Sequence, residues 1–391
     1  MIRSTVARVD LQALRHNFAA IRTFLETGAR PHGGPGPTLI AVVKANAYGH
    51  GAVPVAQALE DAGAEMVACA DIEEGIVLRR AGLRIPILVF GALSVSDLDG
   101  LFDYALTPTI STPGAARAVQ AAAARRRTEI AYHLKIDTGM NRLGFRHDNL
   151  RRTLGELLAA PNVRLDAVYT HFATADVPES PLFDEQRRCF EQALATVGDL
   201  AGGRPFWRHA CNSAALLRDS RVWYDAVRPG LLLYGIVPPP LASTMSLVPA
   251  MSLTSTVVAV KGLRPGESVG YGERYRADGP RRIAVVPAGY ADGLDTRLSG
   301  RGSVLIRGRR VPIVGAVSMD MLTVDVTDAG DVAPGDEVVI LGRQGEESWQ
   351  QIDARDMAAS IGMIPWEVVC RLGTRVERAY TGRVDAARAE R

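Results

Sequence analysis

Leu39-Ile40-Ala41-Val42-Val43-Lys44-Ala45-Asn46-Ala47-Tyr48-Gly49-His50-Gly51 places an apolar, β-branched run directly before one lysine and a small, glycine-punctuated turn. The run reads as a buried strand that ends on Lys44. An amine at the tip of such a strand is partly desolvated, which favours its neutral form and suits it to act as a Schiff-base nucleophile. A strand-end lysine that merely snorkels to water fits the same residues, and the strand alone does not separate the two readings.

Similar short apolar runs recur further along the chain, at Met66 to Cys69, Ile85 to Phe90, Tyr104 to Leu106, Ile130 to Ile136, Leu165 to Tyr169, Phe206 to Cys211 and Asp225 to Val227. Between most of them lie stretches with helical spacing, such as Phe183, Phe190, Ala193, Leu194 and Val197, which share one apolar face. Strands that alternate with helices pair in parallel, and eight such units predict a closed, TIM-like (β/α)8 barrel. Polar residues follow the strands directly: Lys44, Asp71, Lys135 with Asp137, His171, Asn212 with Ser213, and Arg228. In a barrel all of these open on the C-terminal rim, where sites in this fold are built. Each alone is explained by a strand end meeting water; a shared rim makes them one candidate site.

After Pro238-Pro239-Pro240, a stiff connector, the rhythm changes to short alternating runs at 252–260, 282–286, 303–306, 311–317, 322–326 and 337–341. The expected organisation is α/β plus β: a barrel over residues 10–240 and a mostly β domain over 241–391. Ile306 to Val311 reads as a hairpin and Asp353 to Ile361 as a lone helix. The first helix is expected from Leu11 to Leu25. The strand-like start within residues 1–9 is expected to pair outside the barrel, with the second domain. The insert from Gly28 to Pro37 holds four glycines and three prolines and is expected to be a mobile loop.

Bulk properties narrow the class. The chain has 391 residues, 47% of them hydrophobic and 23% charged, which are ordinary globular values that favour neither disorder nor a membrane span. A net charge of +2 makes no case for a nucleic-acid partner, and Arg125 to Arg127 have no accompanying aromatic platform. Cys69, Cys189, Cys211 and Cys370 are scattered, without a C-x-x-C pair or a His/Cys cluster at metal spacing, so free thiols and no metal are expected. The residues after Met1 lack the apolar core of a secretory signal, and a cytoplasmic location is expected.

Asn212-Ser213-Ala214 follows the seventh run and opens a helix, where a hydroxyl and backbone N–H groups suit a phosphate; an ordinary N-cap is the alternative. Position favours the phosphate, since phosphate sites in this fold are commonly built by the last two loops. Arg228-Pro229-Gly230 follows the eighth run, with a glycine that permits close backbone approach.

These segments, with His133 to Gly144 (HLKIDTGMNRLG), Thr170 to Asp176 (THFATAD), Gly270-Tyr271-Gly272, Gly289 to Gly293 (GYADG) and the Lys44 stretch, resemble the alanine racemase family along nearly the whole chain. The resemblance implies that Lys44 binds pyridoxal 5'-phosphate covalently and that Tyr48, His171, Asn212, Ser213, Gly230 and Leu231 surround the cofactor. It also implies that Arg228 faces the pyridine nitrogen. By the same resemblance Lys44 and Tyr271 are two opposed acid/base groups, Tyr271 coming from the partner subunit of a homodimer whose active site lies at the interface. Arg142 would hold the substrate carboxylate, positioned by a carbamylated Lys135; Met319 would add a backbone contact, and Tyr290 would line a narrow gate. The implied reaction interconverts L- and D-alanine, supplying D-alanine for peptidoglycan.

One departure stands out: where the family often has a second active-site tyrosine, this chain has Thr374 in Cys370-Arg371-Leu372-Gly373-Thr374-Arg375. The lost phenol predicts a roomier pocket and measurable turnover of serine. The alternatives are therefore a broader serine/alanine racemase and a non-catalytic pyridoxal-phosphate-binding protein.

Overall fold

The computed structural model describes residues 4–28, 36–93, 98–345 and 349–382. Most of the insert expected at 28–37 (29–35), and the last nine residues of the chain, lie outside them.

Eight parallel strands close on themselves: Thr38–Val42, Met66–Cys69, Ile87–Val89, Thr107–Ile110, Ile130–Asp137, Val163–Tyr169, Trp207–His209 and Ala226–Val227, the last pairing back onto the first through Val227 and Leu39. Helices cover the outside. Leu11–Thr27 begins at Asp10, whose carboxylate accepts the Gln12 and Ala13 N–H groups, and it buries Leu14, Phe18, Ile21 and Leu25 as one stripe. Pro113–Arg126 begins with proline in its first turn and a Thr112 cap. The expected run at Tyr104 to Leu106 is corrected. Tyr104 closes the helix Asp99–Asp103, Ala105 is left-handed at φ 48°, and the strand starts at Thr107 and contains Pro108. Asp71 is likewise a helix cap, accepting the Glu74 N–H at 2.8 Å, rather than a site group.

The second region is mostly β. A ten-stranded sheet includes Met251–Thr256, Ser303–Ile306, Arg309–Val314 and Glu337–Gln344. The hairpin near 306–311 turns through Arg307 (φ 52°) and Gly308 (φ 72°), the left-handed pair that a two-residue turn between twisted strands needs. The opening strand Val6–Asp10 pairs antiparallel with Met251–Thr256 and parallel with Glu377–Thr381, so the start of the chain is embedded in this sheet. Ala354–Ile361 is followed by a second helix, Pro365–Cys370, which brings Trp366 and Cys370 over the barrel mouth. That second helix was not expected.

Candidate active site

A cavity of about 630 Å³ opens at the C-terminal rim and is lined by Lys44, Tyr48, Lys135, Arg142, His171, Asn212, Ser213, Arg228, Gly230 and Leu231, among others. One concave space therefore collects ten of the thirteen residues singled out from the sequence. Its remaining wall includes Phe90, Tyr169, Phe172, Trp366 and Cys370.

Lys44 enters this space from an unusual backbone. Ala45, Asn46, Ala47 and Tyr48 follow it with φ between 51° and 54°, one turn of left-handed helix built without glycine until Gly49. Such a conformation costs about 1–2 kcal/mol for each non-glycine residue, so the surroundings must hold it. Ala47 N–H donates to Val43 O (2.8 Å), Gly49 N–H to Ala45 O (3.0 Å) and Gly51 N–H to Asn46 O (2.9 Å). The Asn46 side chain accepts Ala52 N–H at 2.7 Å. His50 Nδ1–H lies 3.0 Å from both Ala47 O and Tyr48 O, and Arg378 reaches across from the second region to donate to Gly49 O at 3.1 Å.

Beside it lies a cradle for an anion. Ser213 Oγ accepts Gly230 N–H at 2.9 Å, while a Cβ on residue 230 would fall 2.6 Å from the Tyr48 hydroxyl oxygen. Gly230 is thus required by space: the phenol rests against bare backbone. Asn212 caps the helix Ser213–Arg218 by accepting Ala215 N–H at 2.9 Å, so the cap and the cradle are the same piece of chain. Burial raises the Tyr48 pKa well above its ordinary value, which keeps the hydroxyl a donor. A hydroxyl pair, a helix opening and glycine backbone converging on a cationic cavity fit a phosphate group, and a neighbouring amine fits an aldehyde.

Arg228 is fully enclosed. Its guanidinium donates to Thr170 O (2.8 Å), Ala210 O (2.9 Å) and His209 Nδ1 (2.7 Å), with His171 Nδ1 at 3.4 Å. Because a guanidinium has no acceptor, His209 Nδ1 must be unprotonated. His209 then carries its proton on Nε2 and donates to His133 Nδ1 at 3.0 Å, which leaves the His133 proton on Nε2, 3.8 Å from Asp166. Burial, with the Arg228 charge, holds His209 and His171 well below their ordinary value, so both are neutral at pH 7.

Lys44, Lys135, Arg142 and Arg228 make the space strongly positive. Burial and then the Arg142 charge lower the Lys44 ammonium; burial, Arg142 and Arg228 pull Lys135 down to about 8. The chain has only three lysines, Lys44, Lys135 and Lys261, so two of its three amines are in this cavity. Arg142 is exposed to it and pairs with no acidic side chain among the described residues.

Tyr271, Tyr290 and Met319 are not brought to their own chain's cavity. They are 78%, 45% and 51% exposed, on the second region's surface. Tyr290 and Met319 belong to one assembly, since Tyr290 N–H donates to Ser318 O at 3.0 Å and Ala291 N–H to Met319 O at 3.1 Å. Thr374 is exposed and absent from the cavity wall, whose lining includes the nearby Trp366 and Cys370. Sequence reading missed Trp366, Cys370 and the His209–His133 pair; the two histidines sit inside strands, where alternate positions point into the barrel, a pattern that would have flagged them. Among the described residues no group of three or more His, Cys, Asp or Glu is arranged to hold a metal ion, and no helix is long and apolar enough to cross a membrane.

Residues 9–238 match the family model for the alanine racemase N-terminal domain and residues 250–380 the model for the C-terminal domain. A curated alanine racemase of Symbiobacterium thermophilum is 41% identical over 97% of this chain and 98% of its own. Among solved structures, the alanine racemase of the D-cycloserine producer Streptomyces lavendulae superposes with a TM-score of 0.90, at 35% identity and 98% coverage of both chains. A Bartonella henselae alanine racemase, described with covalently bound pyridoxal phosphate, reaches 0.85 at 25% identity, covering 97% of this chain and 99% of that one. Matched by both family models and by full-length relatives, this chain belongs to the alanine racemase family.

Proposed function

We propose that the protein interconverts L- and D-alanine with pyridoxal 5'-phosphate, by two bases on opposite faces of the substrate, Lys44 and the Tyr271 of a second copy. The observation that carries the reading is the juxtaposition of Lys44, the Tyr48–Ser213–Gly230 cradle and Arg228 around one cationic cavity, while Tyr271 is fully outside it. Lys44 would hold the cofactor covalently, with its phosphate on Tyr48, Ser213 and the Gly230–Leu231 backbone and its ring nitrogen toward Arg228. When bound, the cofactor withdraws electrons from the substrate's Cα and so acidifies its hydrogen.

The chain's own residues do the rest. A guanidinium donates and cannot protonate, so Arg228 leaves a facing ring nitrogen neutral and limits how far charge is delocalised; this discourages side reactions. Its two carbonyl acceptors and neutral His209 hold it immobile. Arg142, lacking an acidic partner, is available to a substrate carboxylate. Lys44, made less basic by burial, takes or returns the Cα proton on one face. The phenol of Tyr271 would serve the other face, opposite Lys44. A Lys135 amine with a pKa near 8 is partly neutral at pH 7, the state that adds carbon dioxide, and the resulting carbamate would pair with Arg142. Tyr290 and Met319, held side by side by backbone hydrogen bonds, would complete a narrow mouth across the same interface.

Four free cysteines, two of them buried, suit the reducing interior of a cell, and D-alanine for peptidoglycan is the matching use. Alanine is the substrate that membership of the family favours, and the serine/alanine alternative rests on Thr374 alone, which stands outside the cavity wall. A carrier without turnover has no need of a carboxylate-binding Arg142.

The test is chiral analysis of L-alanine, L-serine and other amino acids incubated with protein and cofactor. Alanine should racemise, with serine at least tenfold slower. Tyr271→Phe should lower alanine racemisation by about a hundredfold or more while leaving the cofactor's visible absorbance in place. Undiminished racemisation by Tyr271→Phe would remove the two-base assignment.

A further inference from the structure

We propose that Glu74 is a positioning residue for Lys44, tying the left-handed turn that follows the lysine to the mouth of the neighbouring barrel strand. The Lys44 turn is the most improbable piece of backbone among the described residues, with four successive non-glycine residues at positive φ. Its internal hydrogen bonds and the Arg378 contact brace it from the front and from the second region. Glu74 braces it sideways. One carboxylate oxygen accepts the N–H of Asn46, in the middle of the left-handed run, at 3.3 Å, and the other accepts the N–H of Ala70, at 2.8 Å. Ala70 directly follows the strand Met66–Cys69, and Ala70 O in turn accepts Gly91 N–H at 2.8 Å after the next strand. The carboxylate therefore joins the rim loops of successive strands into one lattice with Lys44 at its edge.

Glu74 itself is fixed from behind. Its own N–H is the one that Asp71 caps, in the first turn of Ile72–Arg80, and Gly75 packs so closely that a Cβ there would meet Leu106 at 2.8 Å. The helix is thereby pressed to the barrel, and the side chain is aimed at the rim. Only an unprotonated carboxylate accepts from two separate N–H groups without placing a proton against either; an amide in its place turns one donor toward a donor. Burial, Arg142 and Arg228 disfavour the Lys44 ammonium, while Cys370 and then the negative charge of Glu74 favour it. Glu74 thus acts on Lys44 twice, through the backbone that aims it and through its charge. Ala70 lines the cavity with a methyl group and Asn46 is not in its wall, so neither offers a reactive group there and the effect is one of placement.

The inference rests on Lys44 being the amine that takes the cofactor, and its test separates the two. The full chain is incubated with pyridoxal phosphate at a series of pH values, fixed with borohydride, and the Lys44 peptide is quantified; backbone amide exchange is followed on the same holoprotein. If wild-type Lys44 is not modified, the cofactor assignment fails. Given wild-type modification, Glu74→Gln should shift the modification midpoint to lower pH, because loss of a nearby negative charge makes the ammonium easier to deprotonate. Glu74→Asp keeps the charge but is one methylene too short to span both amides. It should leave the midpoint in place while exchange at Asn46 and Ala70 accelerates at least tenfold, with exchange in the second region unchanged. Exchange at both amides equal to wild type in the two variants, or a midpoint unmoved in Glu74→Gln, overturns the proposal.

Discussion

Gly230 shows how much a single residue can settle. Its φ of −115° is not left-handed, and the demand on this position that the structure shows is spatial: the Tyr48 hydroxyl would lie 2.6 Å from a Cβ. Gly230→Ala should therefore fold, displace the phenol, and weaken cofactor binding by tenfold or more, measurable by equilibrium titration of visible absorbance. Unchanged affinity would separate Tyr48 and Gly230 from the phosphate site. Lys135 gives a second residue-level prediction. Its pKa falls from an ordinary 10.5 to about 8 on folding, so the unfolded chain binds more protons between those values and stability rises with pH across that window. In cofactor-free, carbon-dioxide-free buffer, wild type should gain on the order of 2–3 kcal/mol between pH 8 and 10.5 that Lys135→Met does not. Urea titrations of both proteins at the two pH values check it; parallel slopes would mean that Lys135 is not desolvated. Lys44, Lys135, His171, Ser213 and Arg228 were legible because each lies within two residues of a strand end or opens a helix at one rim. Trp366 and Glu74 were not, because a residue reaching the site from another layer leaves no local pattern.

At the scale of elements, the turn at 45–48 is where local rules mislead. Ala-Asn-Ala-Tyr carries no left-handed signal beyond Asn46, and yet all four residues are left-handed, held by the contacts of Gly49, His50, Asn46 and Arg378. Ala45 is exposed and has φ 53°, so Ala45→Gly should relieve strain of about 1–2 kcal/mol, less about 0.5–1 kcal/mol for the extra freedom of the unfolded chain. A small rise in melting temperature is expected, and a fall would mean that the Ala45 methyl packs usefully. Gly49→Ala should do the reverse, because φ is 82° and a Cβ would lie only 2.2 Å from Val369 O, in the helix Pro365–Cys370. The eight-strand barrel was readable from apolar runs alone, apart from Thr107–Ile110. There Pro108 argues against a strand and the aromatic Tyr104 argues for one three residues too early.

At the scale of the whole molecule, the start of the chain was expected to pair with the second region, and Val6–Asp10 does so, but which strands flank it was not legible, since pairing over some 250 residues leaves no periodic trace. That pairing matters for assembly. It anchors the second region beside the barrel, and Tyr271, Tyr290 and Met319 stand exposed on that region, outside the cavity of their own chain. If Tyr271 acts at a cavity at all, it acts at another copy's, and in a symmetric dimer each site then takes Lys44 from one chain and Tyr271 from the other. Complementation follows directly. Lys44→Ala and Tyr271→Phe should each be nearly inactive alone. Unfolded together and refolded as an equal mixture, half of the dimers are mixed, and in those one site carries both defects while the other carries none. Activity should return to about one quarter of wild type by this symmetry argument. Recovery no greater than the sum of the two separate variants, with mixed dimers demonstrated by native mass spectrometry, would show that each chain is self-sufficient and that Tyr271 does not cross the interface.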